Sequence, residues 1–155
     1  MCPSEDDCSS VFELIANVVN SQSEGIDILR SVTEVLYRNV DHYDWVGFYL
    51  ANRSDRTLSL GPFTGESTEH TEIGYGEGIC GQSASTEQSY IVQNVAAEEN
   101  YLACSPKVQS EIVVPIFCDG HFVGELDIDS HEKNAFTEGD KHFLQRVAKL
   151  IAHLL

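Results

Sequence analysis

Two cysteines and a row of acids are the residues of this 155-residue chain whose types and spacing suit them to chemistry. Cys80 stands in the glycine-rich run GYGEGICG over 74–81, where a short helix is expected to begin. Backbone N–H groups and the helix dipole at such a place favour an anion, so a stabilised thiolate is expected there. Cys104 falls in a polar, irregular stretch over 93–109 that contains Pro106, a length typical of functional loops. An accessible cysteine in a loop can meet both a substrate and a second thiol. In GELDID over 124–129, strand geometry puts Glu125, Asp127 and Asp129 on one face and Leu126 and Ile128 on the other. Successive carboxylates then lie roughly 7 Å apart. Glu111, at the mouth of the adjoining strand, can join them. Carboxylates crowded in this way raise at least one pKa, so that one holds a proton near neutral pH and serves as a general acid.

Each feature also has a plainer reading. Cys80 can be a small buried apolar residue, Cys104 an idle surface thiol, and the acids a solvated strand face. Trp45 and Tyr49, four apart on an expected strand, share a face and read more readily as core than as a cage. Gly74, Gly76 and Gly78 lack the ending and spacing of a phosphate loop, so they read as tight-turn glycines. The six histidines (His42, His70, His121, His131, His142, His153) show no H-x-x-x-H or H-x-H spacing, and neither a metal nor a cofactor is expected. Five cysteines cannot all pair, and none forms C-x-x-C. Cys118 reads as core, Cys2 and Cys8 as belonging to the N-terminal arm. At most one pair is expected to cycle between thiol and disulfide.

The elements that must position these groups follow from periodicity. Residues 1–8 read as a flexible arm and 9–155 as one domain. A capping-box pattern at Ser10 opens a first helix, and a second is expected over 26–37 with Ile28, Leu29, Val32, Val35 and Leu36 facing inward. Strands follow over 45–51, 57–60, 71–73 and 90–92, with a bend or bulge at Gly61-Pro62 and a short helix over 79–86. Asp119-Gly120 joins strands over 112–118 and 122–129 as a tight hairpin. A last helix starts at Thr137, capped with Asp140. The fold class is α+β: one antiparallel sheet with the terminal helices packed on one face and loops over the other.

The net charge of −16 disfavours nucleic acid and anionic membrane surfaces as partners. No apolar run reaches the roughly 20 residues of a membrane helix, and the acidic N-terminus is no secretory signal, so a cytoplasmic chain is expected.

Taken together, the segments resemble the GAF-domain free methionine-(R)-sulfoxide reductases. The matching stretches are WVGFYL over 45–50, LGPF-x-G over 60–65, G-x-GICG over 76–81, Ala103-Cys104 followed by SEIVVP over 110–115, and G-x-LDIDS over 124–130. The resemblance implies a GAF fold, a homodimer, and reduction of free methionine-(R)-sulfoxide. It carries the reactive cysteines onto Cys80 and Cys104, and the pocket onto Trp45, Tyr49, Glu111, Asp127 and Asp129. Many members have a third cysteine ten residues before Cys80, where this chain has His70. On this reading Cys104 attacks the sulfoxide sulfur while Glu111, with Asp129 or Asp127, protonates the departing oxygen. Cys80 then condenses with the Cys104 sulfenic acid, and a thioredoxin-type dithiol resets the disulfide. The rival expectation is a non-catalytic GAF sensor that holds a small ligand in the same pocket.

The scattered acids and scarce lysines suit a salt-rich cytoplasm, where counter-ions screen self-repulsion. The melting temperature is accordingly expected to rise between low salt and molar KCl; a flat or falling curve by circular dichroism removes that reading.

Overall fold

A switch from helical to strand periodicity and back sorts this chain into a helical layer and a sheet. The computed structural model describes residues 5–21, 23–102 and 105–155. Its elements are α1 (Glu5–Val19), α2 (Gly25–Asn39), β1 (Trp45–Asn52), β2 (Thr57–Thr64), β3 (Glu72–Gly74), α3 (Gly78–Thr86), β4 (Tyr90–Val92), β5 (Ser110–Cys118), β6 (His121–Ser130) and α4 (Glu138–Ile151). The six strands form one antiparallel sheet in the order β3-β2-β1-β6-β5-β4.

Period-two alternation decides what each face of the sheet carries. Val46, Phe48, Ile112, Val114, Ile116, Leu126 and Ile128 point to the helical layer. There they meet Ile28, Leu29, Val32 and Leu36 of α2, Val11 and Ile15 of α1, and Phe143, Leu144, Val147 and Ile151 of α4. Each of these is nearly or wholly buried, and burying a large aliphatic or aromatic side chain contributes about 1.5–3 kcal/mol. The opposite face carries Trp45, Tyr49 and Val113 under α3 and the loops, with Ile73, Ile79, Cys80, Val92 and Val108. The terminal helices therefore cover one face, as the α+β expectation has it, and the other is left to hold a site.

Local chemistry sets the connections. Asp119 and Gly120 both take positive φ, +52° and +77°, the two-residue hairpin turn that D-G favours. Gly61 and Pro62 together oppose Phe48, since Gly47 pairs with Phe63 and Tyr49 with Leu60, so β2 runs through this bulge to Thr64 rather than stopping at Leu60. The first helix already includes Glu5, the first described residue, which places Ser10 inside it and not at its cap. Residues 1–4 of the expected arm, with Cys2, lie outside the described residues. Among the described residues no helix is long and apolar enough to cross a membrane.

The last helix begins as its sequence indicates. Thr137 Oγ1 accepts from the Asp140 N–H, and Asp140 Oδ2 accepts from the Thr137 N–H at 2.9 Å. Asp140 does more than close this box. Its Oδ1 accepts from Tyr43 Oη at 2.8 Å and lies 3.0 Å from His42 Nε2, all three side chains being buried. The turn before β1 is thereby fixed to the start of α4. Burial pushes the Asp140 carboxyl up, but the hydrogen bonds from His42, Thr137 and Tyr43 outweigh it and hold the pKa below the usual value.

Asp140→Ala leaves four polar groups, His42 Nε2, Tyr43 Oη and the N–H and Oγ1 of Thr137, without their partner and is expected to cost about 2–3 kcal/mol in urea unfolding. Because folding lowers this pKa, the carboxylate's contribution is complete above the unfolded value of about 3.9 and is lost as pH falls through the folded one. The gap between parent and variant should therefore close in acid; a gap independent of pH contradicts the assignment.

Candidate functional site

The glycine-rich run makes room for a thiol. Within it, the Gly76 N–H donates to the Gly81 carbonyl at 2.7 Å, and the Gly81 N–H donates to Glu77 O at 2.9 Å. A Cβ on Gly81 would stand 2.4 Å from the Gly74 carbonyl oxygen, so only glycine lets the first turn of α3 pack this tightly on the run. Gly78 opens the helix with φ +63°. Asn100 clamps the same turn from the following loop. Its Oδ1 accepts from the Gly78 N–H at 2.9 Å, and its Nδ2 donates to the carbonyls of Gly76 and Gly78 at 3.1 and 3.2 Å. Cys80 is carried inward by this turn and is buried.

Facing it are the acids, ordered by strand register. Glu111 pairs with Asp129 and Trp45 stands across from the same Asp129; Val113 pairs with Asp127, which faces Gly47; Glu125 faces Tyr49. The expected single-face row is thus real, but it is buried rather than solvated: Glu111, Glu125, Asp127 and Asp129 are at most 5% exposed. Cys80 Sγ lies 3.8 Å from Glu111 Oε1. The sulfur and one oxygen each from Glu111 and Asp127 all fall within 4.8 Å of one another. They line a cavity of about 10 Å³ with Tyr49, His70 and Leu102, room for roughly one water.

The remaining residues expected at the site divide. Trp45 and Asp129 line a second cavity, also about 10 Å³, with Glu66, Ser105 and His131. Trp45 is anchored there, its Nε1 donating to Glu66 O at 2.9 Å and its ring stacked on Phe63 with centroids 5.4 Å apart. Trp45 and Tyr49 remain neighbours, ring centroids 6.5 Å apart. Cys104 lies outside the described residues.

The electrostatics correct one expectation. Burial pushes the Cys80 thiol well above its usual range, and Asp127, Glu125 and Glu111 push it the same way. The helix start does not yield a thiolate, because its partial positive charge is outweighed by desolvation and by carboxylates. Burial also raises Glu125 well above its ordinary value, with Asp127 adding to the effect and the Cys80 thiol opposing it. Asp127 is raised by burial, against hydrogen bonding from Glu111 and Cys80. Both shifts run in the direction expected of crowded acids, with burial ahead of mutual repulsion as their cause.

Some contributors were not legible beforehand. Glu125 is placed on the acidic face by its spacing, but its contact with Cys80 depends on how deeply α3 packs. Asn100 carries no motif that marks it as a clamp. His70 is marked in the sequence by the resemblance alone; its backbone carbonyl accepts from Tyr49 Oη at 2.9 Å and it lines the Cys80 cavity.

An antiparallel sheet with helices on one face and a pocket under α3 on the other is the architecture of a GAF domain, and residues 24–155 match the GAF domain family. The free methionine-R-sulfoxide reductase of Saccharomyces cerevisiae is 43% identical over 110 residues, 70% of this chain and 61% of the yeast protein. That of Escherichia coli is 32% identical over 82% of this chain and 75% of its own length. The structure of free methionine-R-sulfoxide reductase from Neisseria meningitidis in complex with its substrate superposes with a TM-score of 0.90 at 34% identity, covering 98% of this chain and 91% of that one. The chain belongs to the free methionine-R-sulfoxide reductase family of GAF domains.

In the reduced protein, iodoacetamide labelling of Cys80 is expected to keep accelerating with pH beyond the range of an ordinary thiol. Asp127→Asn removes one of the groups that raise the Cys80 pKa, so labelling at neutral pH should speed up. Peptide mass spectrometry showing an unchanged rate at Cys80 would refute the coupling.

Proposed function

We propose that this chain reduces free methionine-(R)-sulfoxide to methionine, with Cys104 as nucleophile and Cys80 as resolving thiol. The observation that carries the reading is the Cys80 sulfur set within 4.8 Å of the Glu111 and Asp127 oxygens. Its support is the family to which the chain belongs. Cys104, as thiolate, attacks the sulfoxide sulfur. The oxygen, gaining charge as its bond to that sulfur breaks, is protonated from the acid row and passes to Cys104 as a sulfenic acid, while methionine leaves. Asp127, held toward its protonated form by burial, is suited to supply that proton, with Glu111 and Asp129 beside it. The row also suits the substrate's ammonium group, a feature of the free amino acid that a peptide residue lacks. Trp45 and Tyr49 hold the S-methyl end by apolar contact.

The raised pKa of Cys80 fits the resolving role. It stays a thiol until a sulfenic acid arrives, then loses its proton as the Cys80–Cys104 disulfide forms and water departs. A thioredoxin-type dithiol restores both thiols by exchange. The pocket must widen to admit the amino acid, since its present volume is about that of one water. The Leu102 side chain, against Gly78, is the apolar group placed to yield. The enzyme is read as a cytoplasmic homodimer.

Mixed methionine sulfoxides with dithiothreitol, resolved by chiral chromatography, test the activity: the free R form should be consumed and the S form left. Cys104→Ser is expected to abolish turnover, and Cys80→Ser to release about one methionine per enzyme under a thioredoxin system and then stop. Substantial turnover by Cys104→Ser would transfer the nucleophile's role to Cys80; inert parent protein would leave the sensor reading.

A further inference from the structure

We propose that Cys80, Glu111 and Asp127 form a buried site for one thiophilic divalent cation of the zinc–cadmium class, and that its occupation withdraws Cys80 from the catalytic cycle. The cation is an inhibitory ligand here, not a cofactor. The inference rests on the reductase reading only for its effect on turnover.

The three donors come from α3, β5 and β6, which is why no spacing in the sequence announces them. Their atoms lie within 4.8 Å of one another, with 3.8 Å between Cys80 Sγ and Glu111 Oε1. Tetrahedral zinc, with bonds of about 2.3 Å to sulfur and about 2.0 Å to oxygen, sets such ligands roughly 3.5 Å apart. Small side-chain rotations therefore suffice.

A second observation points independently to a cation. Asp127 Oδ1 has no hydrogen-bond partner, although its side chain is 1% exposed. Groups so deeply buried are ordinarily satisfied, and Asp127 lines the cavity in which the sulfur lies. Volume then favours an ion over an organic ligand. The cavity of about 10 Å³ admits one ion with no more than those rotations, whereas an amino acid must open it. The donor set chooses the ion: a thiolate with carboxylates suits zinc and cadmium, while magnesium and calcium would leave the sulfur unused. Binding forms a sulfur–metal bond and releases the thiol proton to solvent, with no change of oxidation state. Glu125, next to Cys80, is placed to approach as a fourth donor.

Titrating the reduced full-length protein with cadmium, and following the sulfur-to-cadmium charge-transfer absorbance, tests the site directly. One equivalent should give a band that zinc displaces and that magnesium and calcium leave intact. Cys80→Ser should remove this component, and Asp127→Asn or Glu111→Gln should weaken binding by more than about tenfold while preserving the sulfur. A parental band in Cys80→Ser, unchanged affinity in both carboxylate variants, or displacement by calcium would overturn the proposal. Should Cys80→Ser not fold, the carboxylate variants decide alone. In the reductase assay, equimolar zinc should suppress turnover and a chelator restore it; full activity under saturating zinc removes the inhibitory role. Turnover measured with chelator present reads the reductase assignment separately from the metal.

Discussion

Several carboxyl groups are held out of water beside a thiol, and most of what is distinctive in this protein follows from that constraint. Moving an isolated carboxylate into a protein interior costs several kcal/mol even after relaxation. The chain limits that cost by keeping Glu125 and Asp127 toward their neutral forms. What remains is offset by the separate apolar core on the far side of the sheet, where β1, β5 and β6 bury their alternate residues against α1, α2 and α4. Stability and chemistry are thus carried by opposite faces of the same three strands.

Holding that row in register requires the ends of the strands to be fixed. Asp44, in the turn before β1, donates its N–H to the Asp129 carbonyl at 2.9 Å and accepts from the His131 N–H at 2.7 Å. Immediately upstream, Tyr43 and His42 meet Asp140 at the start of α4. The entry to β1, the exit of β6 and the last helix therefore form one connected corner. A one-residue slip there would turn every acid of β6 toward the apolar core.

Much of this was legible from residue order, and the failures have physical causes. The alternation of GELDID set Glu125, Asp127 and Asp129 on one face because strand period is local information. The D-G turn and the Thr137–Asp140 cap were legible for the same reason. Depth was not. Whether a polar strand face is wet depends on what folds over it, and α3 with its glycine run closes over this one. That burial reversed the expected ionisation of Cys80 and split Trp45 and Asp129 from Tyr49 and Asp127 into adjoining cavities. Local patterns also misplaced the start of the first helix, where Ser10 reads as a cap yet lies inside the helix.

The two prolines of the sheet bear on how the molecule meets its neighbours. β3 pairs only with Thr57–Ser59 of β2, and β4 only with Glu111–Val113 of β5, so both flanking strands stop early. Pro62 and Pro115 lie on the stretches of β2 and β5 left beyond them, each lacking the amide hydrogen that an incoming strand would need. Both rims are thereby blunted against amyloid-like stacking, and a crowded cell can concentrate this chain without its pleats zipping together.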